Sequence, residues 1–406
     1  MSLPYYRSNL IVLSVTTFLA AASWTQVVPF LPLFLAELGI DENLNQWAGV
    51  VFGLQYAAGI MMAPLWGRIA DRHGRKLMTV RAGACLSAIY ILTGLSTQPW
   101  HVAVMRFLNG ALTGFIPSSI ALVAANTPKE LAPRYVASLQ TAQAAGTVVG
   151  PAIGGVFASV FGIRGGLYIS GCVVGFATLL VLFIVKEKHP GKPKERTTLL
   201  QDFQTAIHSP TLLTVMVITV VAMFSSIAVQ PVLSLYVQEL SGSASTALSG
   251  LIFSLPGLAL VLTANQWVRI GERIGYRVVM RRALLAAACV MAVIPFLRSI
   301  LWFGVAYFVQ GVFVAALRPT SSAMISTEVD SSFHGRAFGM QQSATTLGGM
   351  FGPTLAGFFA GIFGAGSVFW LISAVMLAGF GSMYVLAKAP GVSPAAHGEP
   401  KAPARP

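Results

Sequence analysis

Long apolar segments separated by short polar turns repeat along nearly the whole chain. The first segment runs from Ser8 to Ala36 without a charged residue. It is longer than the apolar core of a signal peptide and lacks a clean small-residue cleavage site, so we expect a retained helix. A helix needs about 20 mainly apolar residues to cross a bilayer, because lipid offers the backbone no hydrogen-bond partners. The pattern predicts an all-α membrane protein with about 12 transmembrane helices between Ser8 and Lys388.

Polar turns, glycines and prolines of the first half recur about two hundred residues later. The turn Gly67–Met78 (GRIADRHGRKLM) has an approximate copy in Arg269–Arg277, and Gly150-Pro151 recurs as Gly352-Pro353. Several such matches at one spacing indicate a duplication, which predicts two pseudo-symmetric six-helix bundles. We place the bundles at residues 1–185 and 211–387, with a cytoplasmic linker at 186–210 that could form a short surface helix over 197–208, and a disordered cytoplasmic tail at 388–406.

The composition, with 55% hydrophobic and 10% charged residues, excludes a soluble globular protein. A net charge of +13 could indicate a nucleic-acid partner. However, most of the 26 Lys and Arg residues fall in alternate turns that share the side of the amino terminus. That imbalance follows the positive-inside rule, so it indicates orientation, with both termini cytoplasmic and no nucleic-acid partner. Only Arg164 and Arg298 fall in outer turns, while Arg106 and Arg318 lie inside spans.

The chain offers no constellation for catalysis or metal binding at membrane depth. Cys85, Cys172 and Cys289 lie inside predicted spans without a metal-ligand spacing. We therefore predict no metal site and no enzyme activity, and the duplication makes a channel the weaker alternative.

The two charged turns contain the first group of candidate functional residues. Asp71 is an acid among basic residues, which topology alone does not require, so we expect it to accept hydrogen bonds from a neighbouring helix amino terminus. The basic residues could pair with Glu130, meet anionic lipid or only set the topology. The group comprises Gly67, Asp71, Arg72, Gly74, Arg75 and Lys76, with Glu272, Arg273 and Gly275 in the second half.

Arg106 lies within the fourth predicted helix, which carries no acid. An unpaired guanidinium at such a depth costs about 2.5 to 3.5 kcal/mol on insertion scales. It could contact an anionic substrate or take part in a proton step; alternatively, it reaches the interface or binds backbone carbonyls. The second half has Tyr307 at the equivalent place, so the role is not duplicated.

Three motifs together resemble the major facilitator superfamily. They are GRIADRHGRK after the second helix, Gly146-x-x-x-Gly150-Pro151-x-x-Gly154-Gly155 in the fifth, and Arg106-x-x-Asn109-Gly110 in the fourth. The last two resemble the proton-coupled drug-export branch, with Asn109 where that branch has Gln. This resemblance implies alternating access around a central cavity, no cofactor, a proton gradient as energy source, a drug-like substrate, and a monomer in the bacterial inner membrane. It also implies that Asp71 latches onto the eleventh helix and that the fifth helix seals the interface between the halves.

Polar and aromatic residues stranded in apolar spans are candidates for the cavity lining, although hydrogen bonding between helices explains each one equally well. Amides and phenols without a buried acid favour neutral, amphipathic or anionic substrates over strong cations. The candidates are Trp24, Gln26, Gln55, Tyr56, Arg106, Asn109, Gln140, Gln143, Gln230, Tyr307, Gln310, Gln341 and Gln342.

A proton carrier is harder to assign, because all 13 acids fall outside the predicted mid-membrane region. Glu37, near the end of the first helix, is the remaining candidate, and it could equally be an ordinary interface residue. The sequence therefore predicts an exporter of drugs or other amphipathic molecules in exchange for protons. The alternative is a transporter of a sugar or metabolite on the same fold.

Overall fold

The computed structural model describes residues 4–40, 42–128, 130–187, 209–242, 245–330 and 333–387. Within these ranges it describes all side chains but those of Pro64, Arg68, Asp71 and Ala387. The predicted Asp71 latch, the predicted linker helix over 197–208 and the predicted disordered tail at 388–406 lie outside what is described.

Twelve helices make up the described part of the chain, and together they form an all-α architecture. A single 53-residue stretch, Ala132–Ile184, contains two of them, because the backbone leaves the helical conformation at Gly162 (φ 72°). We number them α1 Tyr5–Glu37, α2 Leu44–His73, α3 Arg75–Gly94, α4 Pro99–Asn126, α5 132–161, α6 163–184, α7 Pro210–Ser241, α8 Thr246–Ile274, α9 Tyr276–Phe296, α10 Ile300–Glu328, α11 His334–Phe363 and α12 Ser367–Ala387.

Ten stretches of the described chain are long and apolar enough to cross a membrane, with α5 and α6 taken as one and α2 not included. Large apolar side chains also cover the outside of the helices, for example Phe183 at 78% exposure and Val160 at 66%. Such a surface fits lipid and not water. The predicted all-α membrane fold is confirmed.

Four helices are interrupted near their middle, and they are the first and fourth of each half. In α1 a 3₁₀ turn at Val28–Phe30 precedes the final segment Leu31–Glu37. In α7 the break precedes Gln230 and Pro231. Proline supplies no backbone N–H, so it weakens the helical ladder at these points. The helices α4 and α10 break after Leu112 and Val314, respectively.

The two halves meet through α2 with α11 and through α5 with α8. The close contacts lie near the ends of these helices that the charge pattern predicts to face the outside. We call this the outer side and the opposite side the cytoplasmic side. A Cβ added at Gly49 would lie 2.5 Å from the carbonyl oxygen of Pro353, and one at Gly155 would lie 2.9 Å from that of Thr246. The outer segments of α1 and α7 also touch. The cytoplasmic segments of α4 and α10, in contrast, pack mainly within their own halves. The halves are therefore held together on the outer side.

Candidate functional site

Arg106 lies in the buried part of α4, with 3% of the residue exposed. Its Nη1 donates a hydrogen bond to the side-chain oxygen Oε1 of Gln55 on α2, at 3.0 Å. The guanidinium carbon lies 5.7 Å from the ring centre of Phe52, also on α2. Its other terminal nitrogen, Nη2, is buried and has no hydrogen-bond partner among the residues that the structure describes. The cation is thus desolvated and only partly satisfied.

A glycine brings these two helices close enough for the Arg106–Gln55 contact. Gly110 lies one turn after Arg106, and a Cβ at this position would overlap the carbonyl oxygen of Gln55. Only a residue without a side chain lets α2 and α4 approach so closely. The motif Arg106-x-x-Asn109-Gly110 therefore combines a charge with the close packing that positions its acceptor. Asn109 itself is buried, and its backbone oxygen accepts a hydrogen bond from Thr113 at the break in α4.

Two tyrosines complete the surroundings of Arg106. Tyr56 and Tyr90 both lie near enough to interact electrostatically with the guanidinium. The Tyr90 hydroxyl is buried and has no hydrogen-bond partner in the described part of the chain. A buried donor without an acceptor costs about 1 to 3 kcal/mol, and the cost is higher when the group is charged. Both groups therefore keep a donor that an incoming hydrogen-bond acceptor would satisfy.

No carboxylate of the described residues forms an ion pair with Arg106. Glu37, the predicted proton-carrier candidate, is exposed at the end of α1. No group of three or more His, Cys, Asp or Glu side chains in the described ranges could hold a metal ion. The polar chemistry around Arg106 is thus that of a cation, amides and phenols.

The equivalent region of the second half is aromatic. The Tyr307 ring is stacked on Phe303, with centroids 5.7 Å apart and planes 11° apart. Phe303 also contacts Tyr236 and Phe369, and all four residues are buried. Gln310 is 3% exposed, one turn after Tyr307. Tyr307 therefore belongs to a packed aromatic cluster and not to a polar site like that of Arg106.

The remaining cavity candidates are distributed over several helices. Gln26 on α1 donates a hydrogen bond to the backbone oxygen of Gly166 on α6 and also contacts Ser170. Of the two interpretations of this residue, the structure therefore has hydrogen bonding between helices. Gln341 accepts a hydrogen bond from Ser322, between α11 and α10. The structure brings together Gln55, Tyr56 and Arg106 from the predicted set. Other members, partly or fully exposed on their helices, are Trp24, Gln140, Gln143, Gln230 and Gln342.

Comparison with known proteins assigns the family. The Major Facilitator Superfamily model matches residues 13–243 and 215–406. Multidrug resistance protein MdtG of Escherichia coli O1:K1 is 30% identical over 384 residues, covering 93% of this chain and 94% of that protein. The chain belongs to the major facilitator superfamily.

Two solved structures show the same fold at low sequence identity. A bacterial homologue of the human lysosomal transporter Spinster, in an inward-facing and occupied conformation, has a TM-score of 0.82 at 12% identity and covers 95% of this chain and 98% of its own. The nucleoside transporter NupG has a TM-score of 0.78 at 13% identity, with 94% and 99% covered. As a member of the superfamily, the chain is a multi-pass secondary transporter of small molecules, is not an enzyme and needs no cofactor.

We expected the glycine face of α5 to lie between the two halves, but most of it packs within the first half. A Cβ at Gly146 would meet the backbone of α1, and one at Gly154 would lie 2.5 Å from the carbonyl oxygen of Gln26, also on α1. Gly150 faces α1 in the same way. The prediction that this face lies between the halves is wrong for these three glycines. Gly155 and the carbonyl of Pro151 face α8 and form the contact between halves.

The two charged turns share one backbone conformation. Gly74 and Gly275 both have φ of 92°, with ψ of 150° and 134°, which favours glycine. Each turn separates two long helices. Among the other predicted residues, Gly67 is half-buried, while Arg72, Glu272 and Arg273 are exposed.

The first turn has a carboxylate partner that sequence reasoning missed. Glu187, at the end of α6, accepts hydrogen bonds from the backbone N–H groups of Arg75 and Lys76, both at 2.9 Å. It thereby caps the amino terminus of α3, where the helix dipole favours negative charge. The Arg75 side chain donates to the carbonyl of Ala121 at 2.6 Å. Glu130, a possible partner by sequence, forms no ion pair with any described residue.

Proposed function

We propose that this transporter exports amphipathic small molecules, including drugs, across the bacterial inner membrane by alternating access in exchange for protons. The similarity to MdtG over 93% of the chain supports drug export. The packing of the two halves at their outer ends supports a state in which substrate is taken up from the cytoplasmic side. In the opposite state, the contacts between α2 and α11 and between α5 and α8 would have to open on the outer side.

The buried Arg106 supports a preference for substrates that carry an anionic group. A desolvated guanidinium with one unpartnered nitrogen attracts an oxyanion more strongly than the same group does in water. The neighbouring Tyr90 hydroxyl offers a second donor. The observation that carries this substrate preference is the buried Arg106, which Gly110 and Gln55 hold in place.

Transport by the purified chain in proteoliposomes with an imposed pH gradient tests this function. The substrate panel contains matched amphipaths with one apolar body and a carboxylate, a neutral amide or a quaternary ammonium group, together with bile-salt-like detergents. We expect the carboxylate to be transported best, and we expect a protonophore to abolish the accumulation. Uptake in the importing direction that ignores the pH gradient would contradict the proposal.

Arg106 variants then separate the substrate site from general transport. We expect Arg106→Gln to lower carboxylate transport at least about tenfold, since each 1.4 kcal/mol of lost interaction is a factor of ten. Arg106→Lys keeps the charge but loses the fork geometry, so part of the activity remains. Transport of the neutral amide serves as the internal control and changes little. An equal loss for both substrates would assign Arg106 to the transport cycle and not to substrate charge.

A further inference from the structure

A cleft of about 400 Å³ lies between the cytoplasmic ends of α1 and α5, away from Arg106. It precedes the close packing of the α5 glycines on α1, which begins at Gly146. The lining residues are Arg7 and Leu10 from α1, and Leu131, Arg134, Tyr135 and Ser138 at the start of α5.

Two cations line this cleft. Arg7 and Arg134 are both exposed, and neither forms an ion pair with a carboxylate in the described ranges. Like charges at one cleft repel each other, so an anion between them is favoured. Guanidinium groups bind phosphate oxygens in a bidentate fashion, and the Ser138 hydroxyl offers another donor.

The rest of the cleft matches an amphiphile and not a free anion. Leu10, Leu131 and the buried Tyr135 ring provide an apolar floor beneath the two charges. The Tyr6 ring lies 6.3 Å from that of Tyr135 and extends the aromatic surface. Tyrosines are enriched at the level of the lipid headgroups, which is where the ends of spanning helices lie. A ligand with a phosphate for the two arginines and an apolar part for the leucines and the tyrosine matches this cleft, and a phospholipid has both.

The second half lacks the same arrangement. Arg134 corresponds to Arg336, whose guanidinium carbon lies 4.4 Å from the ring centre of Phe333. Arg7 corresponds to Ser209, which caps α7 and carries no charge. The paired cations therefore occur in the first half alone, and duplication does not account for them.

We propose that the Arg7–Arg134 cleft binds the phosphate of an anionic phospholipid from the cytoplasmic leaflet. The lipid contacts both α1 and α5 at their cytoplasmic ends. Binding at this surface is independent of the substrate site, so it stands or falls apart from the export function.

Native mass spectrometry of the delipidated full chain tests the cleft, with phosphatidylglycerol and phosphatidylcholine as probes. We expect phosphatidylglycerol to be retained at least about fivefold better. The variant Arg7→Gln/Arg134→Gln should weaken that retention about tenfold, since each basic residue near the surface contributes to anionic lipid binding. The control Arg298→Gln/Arg336→Gln removes the same charge elsewhere and should change retention less than about twofold.

Three outcomes would overturn the proposal. The first is equal retention of the two lipids, and the second is an equal loss in the Arg7/Arg134 variant and its control. The third is displacement of phosphatidylglycerol by millimolar inorganic phosphate or glycerol phosphate, which would make the cleft a site for a soluble anion. A thermal unfolding curve of the double variant that matches the control shows that a loss of lipid does not come from misfolding.

Discussion

The two halves pack α2 on α4 and α8 on α10 in the same way but place different chemistry at the contact. In the first half Gly110 packs on Gln55, whose side chain accepts from Arg106. In the second half Gly311 packs on Pro256, with a Cβ 2.7 Å from its Cα. Tyr307 takes the place of Arg106. The charge and its acceptor have thus been replaced together, while the glycine that allows the close approach is kept in both halves.

This comparison separates a feature that the two halves share from one that the first half has at this contact and the second does not. A close helix contact is needed in either half, because both bundles must pack around their interrupted helices. A buried cation occupies this position in the first half, and the buried Tyr307 occupies it in the second. The aromatic cluster of the second half fills the equivalent volume with rings and leaves no charge to satisfy.

The largest expected effect comes from adding a side chain at the shared contact. Gly110→Ala would push a methyl group into the Gln55 backbone, which cannot move away without displacing α2. We expect a loss of several kcal/mol in unfolding free energy and little folded protein. Gly311→Ala meets atoms at 2.7 and 3.1 Å and should cost about 1 to 3 kcal/mol.

Thermal unfolding in detergent, followed by tryptophan fluorescence and size exclusion, measures both variants. Gly59→Ala on α2 is the matched control, because its nearest neighbouring atom would lie 3.7 Å from the new Cβ. A Gly110→Ala protein as stable as this control would disprove the role of Gly110 in positioning Gln55.

The next largest effect is expected from separating Arg106 from its hydrogen-bond acceptor Gln55, which tests whether the two must be replaced together. Gln55→Leu leaves Arg106 buried without its hydrogen-bond acceptor, which should cost about 1.5 to 3 kcal/mol. Adding Arg106→Met should recover most of this loss, since an apolar pair of similar size needs no acceptor. Tyr307→Phe in the second half should be nearly neutral, because no hydrogen bond of its hydroxyl is found among the described residues.

A double-mutant cycle on unfolding midpoints measures the coupling of Gln55 and Arg106. Additive effects of the two substitutions would mean that the hydrogen bond contributes nothing to stability. A large cost for Tyr307→Phe would remove the contrast between the halves.

How much of this could be predicted from the sequence differs between residues. The apolar segments give the spans, and Arg106 is identifiable because a cation inside a span is rare. Gln55 could not be assigned as its partner, since the pattern does not fix how α2 is rotated against α4. The α5 glycines show the same limit. Small residues every four positions predict a close contact with another helix, but they do not decide whether that helix is α1 or α8. The sequence does not single out Glu187, because it lies at the start of a charged linker. Its capping role depends on how the end of α6 returns to the first turn.

A moderate effect is expected from the carboxylates at the cytoplasmic ends of the helices, whose interactions also differ between the halves. Glu187→Gln removes the charge that caps α3 and should cost about 1 to 2 kcal/mol. In the second half Arg277 pairs with Glu328 at 2.9 Å, but the Arg277 side chain is 26% exposed and the Glu328 side chain 37%. Glu328→Gln should therefore cost less than about 1 kcal/mol and lose its effect in high salt. Hydrogen exchange at Arg75 and Lys76 should rise in Glu187→Gln alone, and unchanged exchange would argue against the cap.

The smallest effect concerns two tryptophans that occupy equivalent positions on α2 and α8. Trp66 donates from its indole nitrogen to the carbonyl of Ala111, and Trp267 donates to Val312 at 2.8 Å. Each acceptor carbonyl lies just before the break in the neighbouring helix, where it has no backbone donor among the described residues. Trp→Phe at either position should cost about 1 kcal/mol. Arg81 lies over the Trp66 ring, with its guanidinium carbon 3.4 Å from the ring centre, whereas no cation of the described residues lies over Trp267.

Replacing each tryptophan by leucine separates this stacking from the hydrogen bond, because leucine removes the ring in both halves. We expect Trp66→Leu to exceed Trp267→Leu by about 0.5 to 1 kcal/mol, the worth of a partly exposed cation–π contact. In an Arg81→Gln background the two leucine variants should become equal within about 0.5 kcal/mol. If the difference persists without Arg81, it comes from the packing of the rings, and the divergence of the two halves then extends to their apolar contacts as well as their charges.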